Sequence, residues 1–160
     1  LRVSVFDFDG KLVDSSEFAA GWRILTTEIR FIQVKNFGEV LEVESLPAIG
    51  GADVRKQFYA VVGDKVRLIR LEDSNGALQS NHYHPIGFTE VGRSAADWER
   101  SLTTKDETEV LATLTWLGGP HLKVNEVRAR PAVKKAVNAM KDHPNAWIRE
   151  AARVAAEQMD

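Results

Sequence analysis

The stretch Val3-Ser4-Val5-Phe6-Asp7-Phe8-Asp9-Gly10-Lys11-Leu12-Val13-Asp14-Ser15 decides how the rest of the chain is read. Val3 to Phe6 has the branched and aromatic content of a strand, and Leu12-Val13 resumes an apolar run after Asp9-Gly10. An Asp-Gly pair between two such runs is a strong hairpin signal, because Gly takes the positive φ that a tight reversal requires. The spacing is repeated downstream. Asp73-Ser74-Asn75-Gly76-Ala77-Leu78 matches Asp7-Phe8-Asp9-Gly10-Lys11-Leu12 in its Asp, its turn-forming fourth-last residue, its Gly and its Leu. Asn75 has no acidic proton to give, so the second copy reads simply as an Asn-Gly turn, and the first is read the same way.

Working outward, the period from Leu1 to about Thr89 is mostly two, and a single hairpin-rich sheet is expected there. The clearest pair of strands is Phe58 to Val62 and Lys65 to Leu71, joined by Gly63-Asp64, a two-residue loop whose Gly suits a primed turn. Val66, Leu68 or Ile69, and Leu71 would give the return strand its apolar side, with Arg67 and Arg70 outward. Thr26 to Lys35 alternates Ile29 and Phe31 against Arg30 before Ile32, so one face is expected to be wet. That habit is antiparallel, since parallel strands buried on both faces read as near-continuous apolar runs.

With 160 residues, 44% hydrophobic and 28% charged, the chain has the composition of one ordinary soluble domain or two small ones. Its 21 basic residues are offset by 23 acidic ones, which gives no electrostatic pointer to nucleic acid or an anionic membrane. The absence of cysteine excludes disulfides, thiolate metal sites and cysteine nucleophiles. No apolar run approaches the roughly 18 residues of a membrane span. The chain begins at Leu1 rather than Met, which leaves room for a removed signal or anchor, and localisation stays open.

Phe6-Asp7-Phe8-Asp9-Gly10 also resembles the first motif of the haloacid dehalogenase phosphatases, with Lys11 where that family has Thr. The resemblance implies a magnesium-dependent phosphohydrolase in which Asp7 forms an aspartyl phosphate and Asp9 protonates the leaving oxygen. It further implies a parallel, doubly wound sheet and a late acidic pair for the metal. Asp14 to Arg23 is too short for the crossover this requires, and no later strand ends in Gly-Asp-x-x-x-Asp. The hairpin is therefore the preferred reading, with no catalytic residue and no cofactor. Asp7 and Asp9 with Mg are its alternative.

A weaker alternative is metal binding by His82 and His84, which would point to one face if Ser80 to Pro85 were a strand. Nothing in the spacing selects a third ligand, and a polar loop is the commoner explanation. There is no phosphate-cradling Gly-rich loop, no Gly-x-Ser-x-Gly elbow and no His-Glu-x-x-His helix.

After Gly92 the period becomes helical. Ser94 is expected to cap a short helix carrying Trp98 and Leu102, and Thr104-Lys105-Asp106-Glu107 reads as a capping box for a helix ending at Gly118-Gly119-Pro120. Lys123 to Arg130 reads as a polar connection. Pro131 opens a helix with Val133, Val137 and Met140 on one side, opposite Lys134, Lys135 and Lys141. Asn145 caps the last helix, whose inner face is Ile148, Ala151, Ala152, Ala155 and Met159. Pro144-Asn145-Ala146-Trp147-Ile148-Arg149-Glu150-Ala151-Ala152-Arg153-Val154-Ala155 resembles the second helix of a HEAT-type repeat, and the resemblance extends over residues 104–158. It implies a protein-binding role. Such repeats are stable when three or more stack, so these helices must instead pack on the sheet or on a neighbour.

The expected class is α+β: an antiparallel β region over 1–92, then a HEAT-like layer of three or four helices over 93–160, able to pack as one domain. The expected function is a non-enzymatic protein-interaction or scaffold module whose helical layer or sheet edge meets another protein.

Overall fold

The computed structural model describes residues 2–6, 9–17, 24–47, 55–63, 65–78, 93–119 and 124–159. Two strands, β1 (Arg2–Phe6) and β2 (Leu12–Glu17), form an antiparallel ribbon, with Val5 opposite Asp14 and Phe6 opposite Leu12. The chain reverses between them, with Gly10 at φ 78°. The second copy of the motif behaves alike. Gly76 also has φ 78°, and Asp73 Oδ1 accepts from the amides of Asn75 at 2.8 Å and Ala77 at 2.9 Å, so Leu78 returns to bridge Glu72. A short side chain that accepts from backbone two residues on is what makes Asp a turn residue.

Four further strands, β3 (Ile24–Val34), β4 (Gly38–Pro47), β5 (Arg55–Val62) and β6 (Lys65–Glu72), form an antiparallel sheet in that order. Among the described residues the single sheet expected over the first half is two: the ribbon lies beside β6 without joining its ladder. Val62 pairs with Lys65, which places the β5–β6 reversal at Gly63 as expected.

Among the described residues five helices follow: α1 (Ala95–Ser101), α2 (Glu107–Leu117), α3 (Val124–Arg128), α4 (Pro131–Ala139) and α5 (Ala146–Glu157), with a 3-10 turn at Met140–Asp142. The α+β arrangement is the one the patterning indicated. Ser94 caps α1 in a reciprocal box with Asp97, and Asn145 caps α5 through the Trp147 amide at 3.1 Å. The start of α2 differs from expectation. Asp106, not Thr104, is the cap, its Oδ1 accepting from Thr108 N at 2.9 Å and Glu109 N at 3.3 Å, while Thr104 accepts from Asp106 N. A carboxylate at the positive end of the helix dipole is the stronger acceptor.

The connection expected over residues 123–130 contains the one-and-a-half-turn α3, with Val124 and Val127 buried. Buried Arg128 ends α2 by donating from Nε to the Leu117 carbonyl at 2.7 Å and from Nη2 to the Gly119 carbonyl. Carbonyls left over at a helix C-terminus are satisfied in this way by a nearby basic side chain.

Helix α2 is the centre of the second half. It lies on β6 and against α5, and Val110, Leu111, Leu114 and Leu117 are all buried. Each such side chain removed from water contributes roughly 1.5–3 kcal/mol. From α5 come Ile148, Ala151, Ala152 and Ala155, also buried as expected. The end of α2 lies close to α5: a β-carbon on Gly118 would stand 3.1 Å from Val154 Cγ1. Trp147 at the start of α5 contacts the sheet, with Phe37 at 5.6 Å and Phe58 at 5.4 Å between ring centroids.

A candidate interaction surface on the sheet

The two faces of the four-stranded sheet follow from its register. Arg30 opposes Glu42, Glu42 opposes Phe58, and Phe58 opposes Arg70, so these share one face. Phe31 opposes Leu41, Leu41 opposes Tyr59, and Tyr59 opposes Leu68, which places these on the other. On a regular strand Arg67 and Arg70 would point to opposite faces, because their spacing is odd. The ladder passes from Tyr59–Leu68 to Phe58–Arg70, leaving Ile69 as an extra residue, and this bulge brings both arginines to the first face.

That first face is the one the helices cover, so Arg67 and Arg70 are buried rather than outward. Arg67 Nη1 is 2.7 Å from Glu109 Oε2 on α2, and the other oxygen of Glu109 accepts from Arg93 at 2.9 Å. Both guanidiniums lie over Trp98, Arg93 at 4.3 Å and Arg67 at 5.5 Å from its centroid, and Trp98 is stacked on Trp116 at 3.7 Å. Arg70 pairs with Glu72 and with Glu150 on α5 at 2.9 Å, and stands 4.6 Å over Trp147. Burial pushes the Glu109 carboxyl up, but the Ser101 hydroxyl, Arg67 and Arg93 outweigh it and hold it below the usual range. This constellation joins sheet to helices; every charge named in it is matched by an opposite one.

The opposite face grades from covered to open. Leu68 and Tyr59 are buried, and burial pushes the Tyr59 phenol up; Leu41 is half-buried, and on β3 Phe31 is 69% and Ile29 50% exposed. Val61, near the end of β5, is 53% exposed on the same face. One wet face was expected of β3, and the strand has two, since Glu28 and Arg30 are exposed as well as Ile29 and Phe31. The face away from Phe31 holds Arg30, which donates to Glu42 at 2.6 Å and Glu28 at 3.2 Å; those two partners hold its pKa up. Among the described residues the exposed large apolar side chains are Leu12, Ile29, Phe31 and Val61, and none of them is on a helix. Clustered apolar exposure of this kind marks contact surfaces, whereas single exposed residues do not.

Of the residues singled out from sequence, Asp9 is exposed in the turn next to Gly10. Asp7, His82 and His84 lie outside the described residues. Among the described residues no three His, Asp or Glu side chains are grouped to hold a metal ion, and no helix is long and apolar enough to cross a membrane. The Ile29–Phe31 strip was missed because apolar residues at spacing two read as a core face. The signal that could have found it is Glu42 on the next strand, which lies opposite Arg30 and fixes the face that Ile29 and Phe31 do not share. Set against known proteins, the chain matches no family model, no curated protein and no solved structure.

Proposed function

We propose that this chain is a non-enzymatic protein-interaction module whose contact surface is the open part of the sheet, with Phe31 as its anchor. The observation that carries the reading is the pair Ile29 and Phe31, open to solvent on one face of the sheet beside half-buried Leu41, while the helices cover the other face over β5 and β6. Large aromatics set among aliphatic neighbours supply most of the binding energy at protein interfaces. The HEAT-like α4–α5 pair acts here as support. Its alanine face is used up against α2, and its outer side carries Lys134 and Lys135 rather than large apolar residues.

Affinity co-purification from the native host tests this, comparing the unaltered chain with Phe31→Ser and with Leu12→Ser as a control at an exposed apolar residue on the ribbon. Associates lost with Phe31→Ser and kept with Leu12→Ser are the expected result. Associates unaffected by Phe31→Ser, or a clean monomer with none, overturn it.

A further inference from the structure

We infer that the partner seated on this surface is a second copy of the same chain, paired antiparallel through the free edge of β3 about a two-fold axis at Ile29. The inference rests on the reading of the open sheet face as a contact surface. Strand β3 runs for 11 residues at the edge of the sheet, and among the described residues β4 is its one ladder partner. It contains no proline. Among the described residues that edge has no second partner, and beyond the bulge between Thr26 and Glu28 it presents a regular row of backbone donors and acceptors, which natural proteins blunt with charge or shorten.

The charges on β3 select the register instead of blocking it. Centring the axis on Arg30 sets that residue against its own copy, and like charges directly opposite are destabilising. Centring it on Phe31 sets Arg30 against Ile32 and Glu28 against Val34, which pairs charge with hydrocarbon. Centring it on Ile29 sets Glu28 of each copy opposite Arg30 of the other, giving two reciprocal ion pairs. Both side chains are about half exposed and so within reach, at 48% and 44%. In that register Ile29 meets Ile29 on the open face, and the two Phe31 rings flank them. The isologous contact closes on itself, so it ends at a dimer with an eight-stranded sheet rather than a fibre.

Sedimentation equilibrium of the chain and three variants tests this. The unaltered chain is expected at twice the monomer mass. Ile29→Lys and Ile29→Asp, each placing like charges on the axis, are each expected at the monomer mass, and an equal mixture of the two is expected to return to twice that mass. Glu28→Arg, which sets two pairs of guanidiniums against each other, is also expected to be monomeric. Both positions of change are exposed, and a preserved thermal transition confirms folding. A monomeric unaltered chain overturns the self-pairing while leaving the contact surface to be judged by the Phe31→Ser comparison. A dimer that survives all three variants, or a mixture that stays monomeric, places any association elsewhere and also overturns the proposal.

Discussion

Strands β3 and β6 are written in nearly the same alphabet and have opposite fates. Glu28-Ile29-Arg30-Phe31-Ile32 and Val66-Arg67-Leu68-Ile69-Arg70-Leu71 both set arginines among large apolar residues. In β6 the arginines are buried beneath helices, and in β3 the aromatic is largely open to solvent. Alternation states which residues share a face; it does not state what lies over that face. Coverage is decided by neighbours far away in sequence, here Glu109 and Glu150, which supply the carboxylates that make burying guanidiniums tolerable.

The sharpest way to break the contrast is Glu109→Ala. It strands Arg67 and Arg93 together, and removing one partner of a buried pair costs about 3–5 kcal/mol. Urea unfolding monitored by tryptophan fluorescence should show a loss of that order, with Lys35→Ala in the exposed turn after β3 leaving the midpoint unchanged. A Glu109→Ala midpoint equal to the unaltered one would mean the network contributes nothing.

The same residue predicts an acid limb. Because the folded carboxyl is held below the ordinary glutamate value of about 4.5, its contribution is fully present above about pH 4.5 and is lost as pH falls through the lower folded value. Glu109→Gln should therefore show a shallower decline in stability below pH 4.5 than the unaltered chain. Equal slopes would assign acid unfolding to other groups.

A smaller effect separates the two candidate caps of α2. Asp106→Ala should cost about 1 kcal/mol and Thr104→Ala clearly less, measured by the same unfolding curves. The reverse order would restore the cap to the earlier residue. On the open side, Phe31→Ser should move stability by no more than about 0.5 kcal/mol, as exposed substitutions do, while abolishing association. A large loss of stability would mean the ring is part of the core. Smallest of all, phosphate release from an aryl phosphate with magnesium should stay at background and be unaffected by Asp7→Asn; activity abolished by that change would favour the phosphohydrolase.

Local chemistry was legible wherever one residue type dictates a conformation. Gly10, Gly63 and Gly76 marked reversals because each adopts a positive φ, and Ser94, Pro131 and Asn145 marked helix starts because each solves the problem of unbonded amides. Helix α3 was not legible: five residues give too little periodicity, and its role depends on Arg128 reaching carbonyls 9 and 11 positions back. The open face on β3 was hidden for the reason already given. His82, His84 and Asp7 fall outside the described residues, so the alternatives built on them stand where the sequence left them.

The additional residue at Ile69 has a consequence for how the molecule tolerates change. It shifts the strand by half a repeat between two guanidiniums that must both reach acids on the helices. Deleting it would set the two guanidiniums two positions apart on a regular strand, opposite Ala60 and Phe58 as before and still on the helix-covered face. A single-codon deletion there should thus keep both ion pairs and cost chiefly the burial of Ile69 itself, whereas inserting one more residue would send one arginine to the face lined by Leu68 and Tyr59.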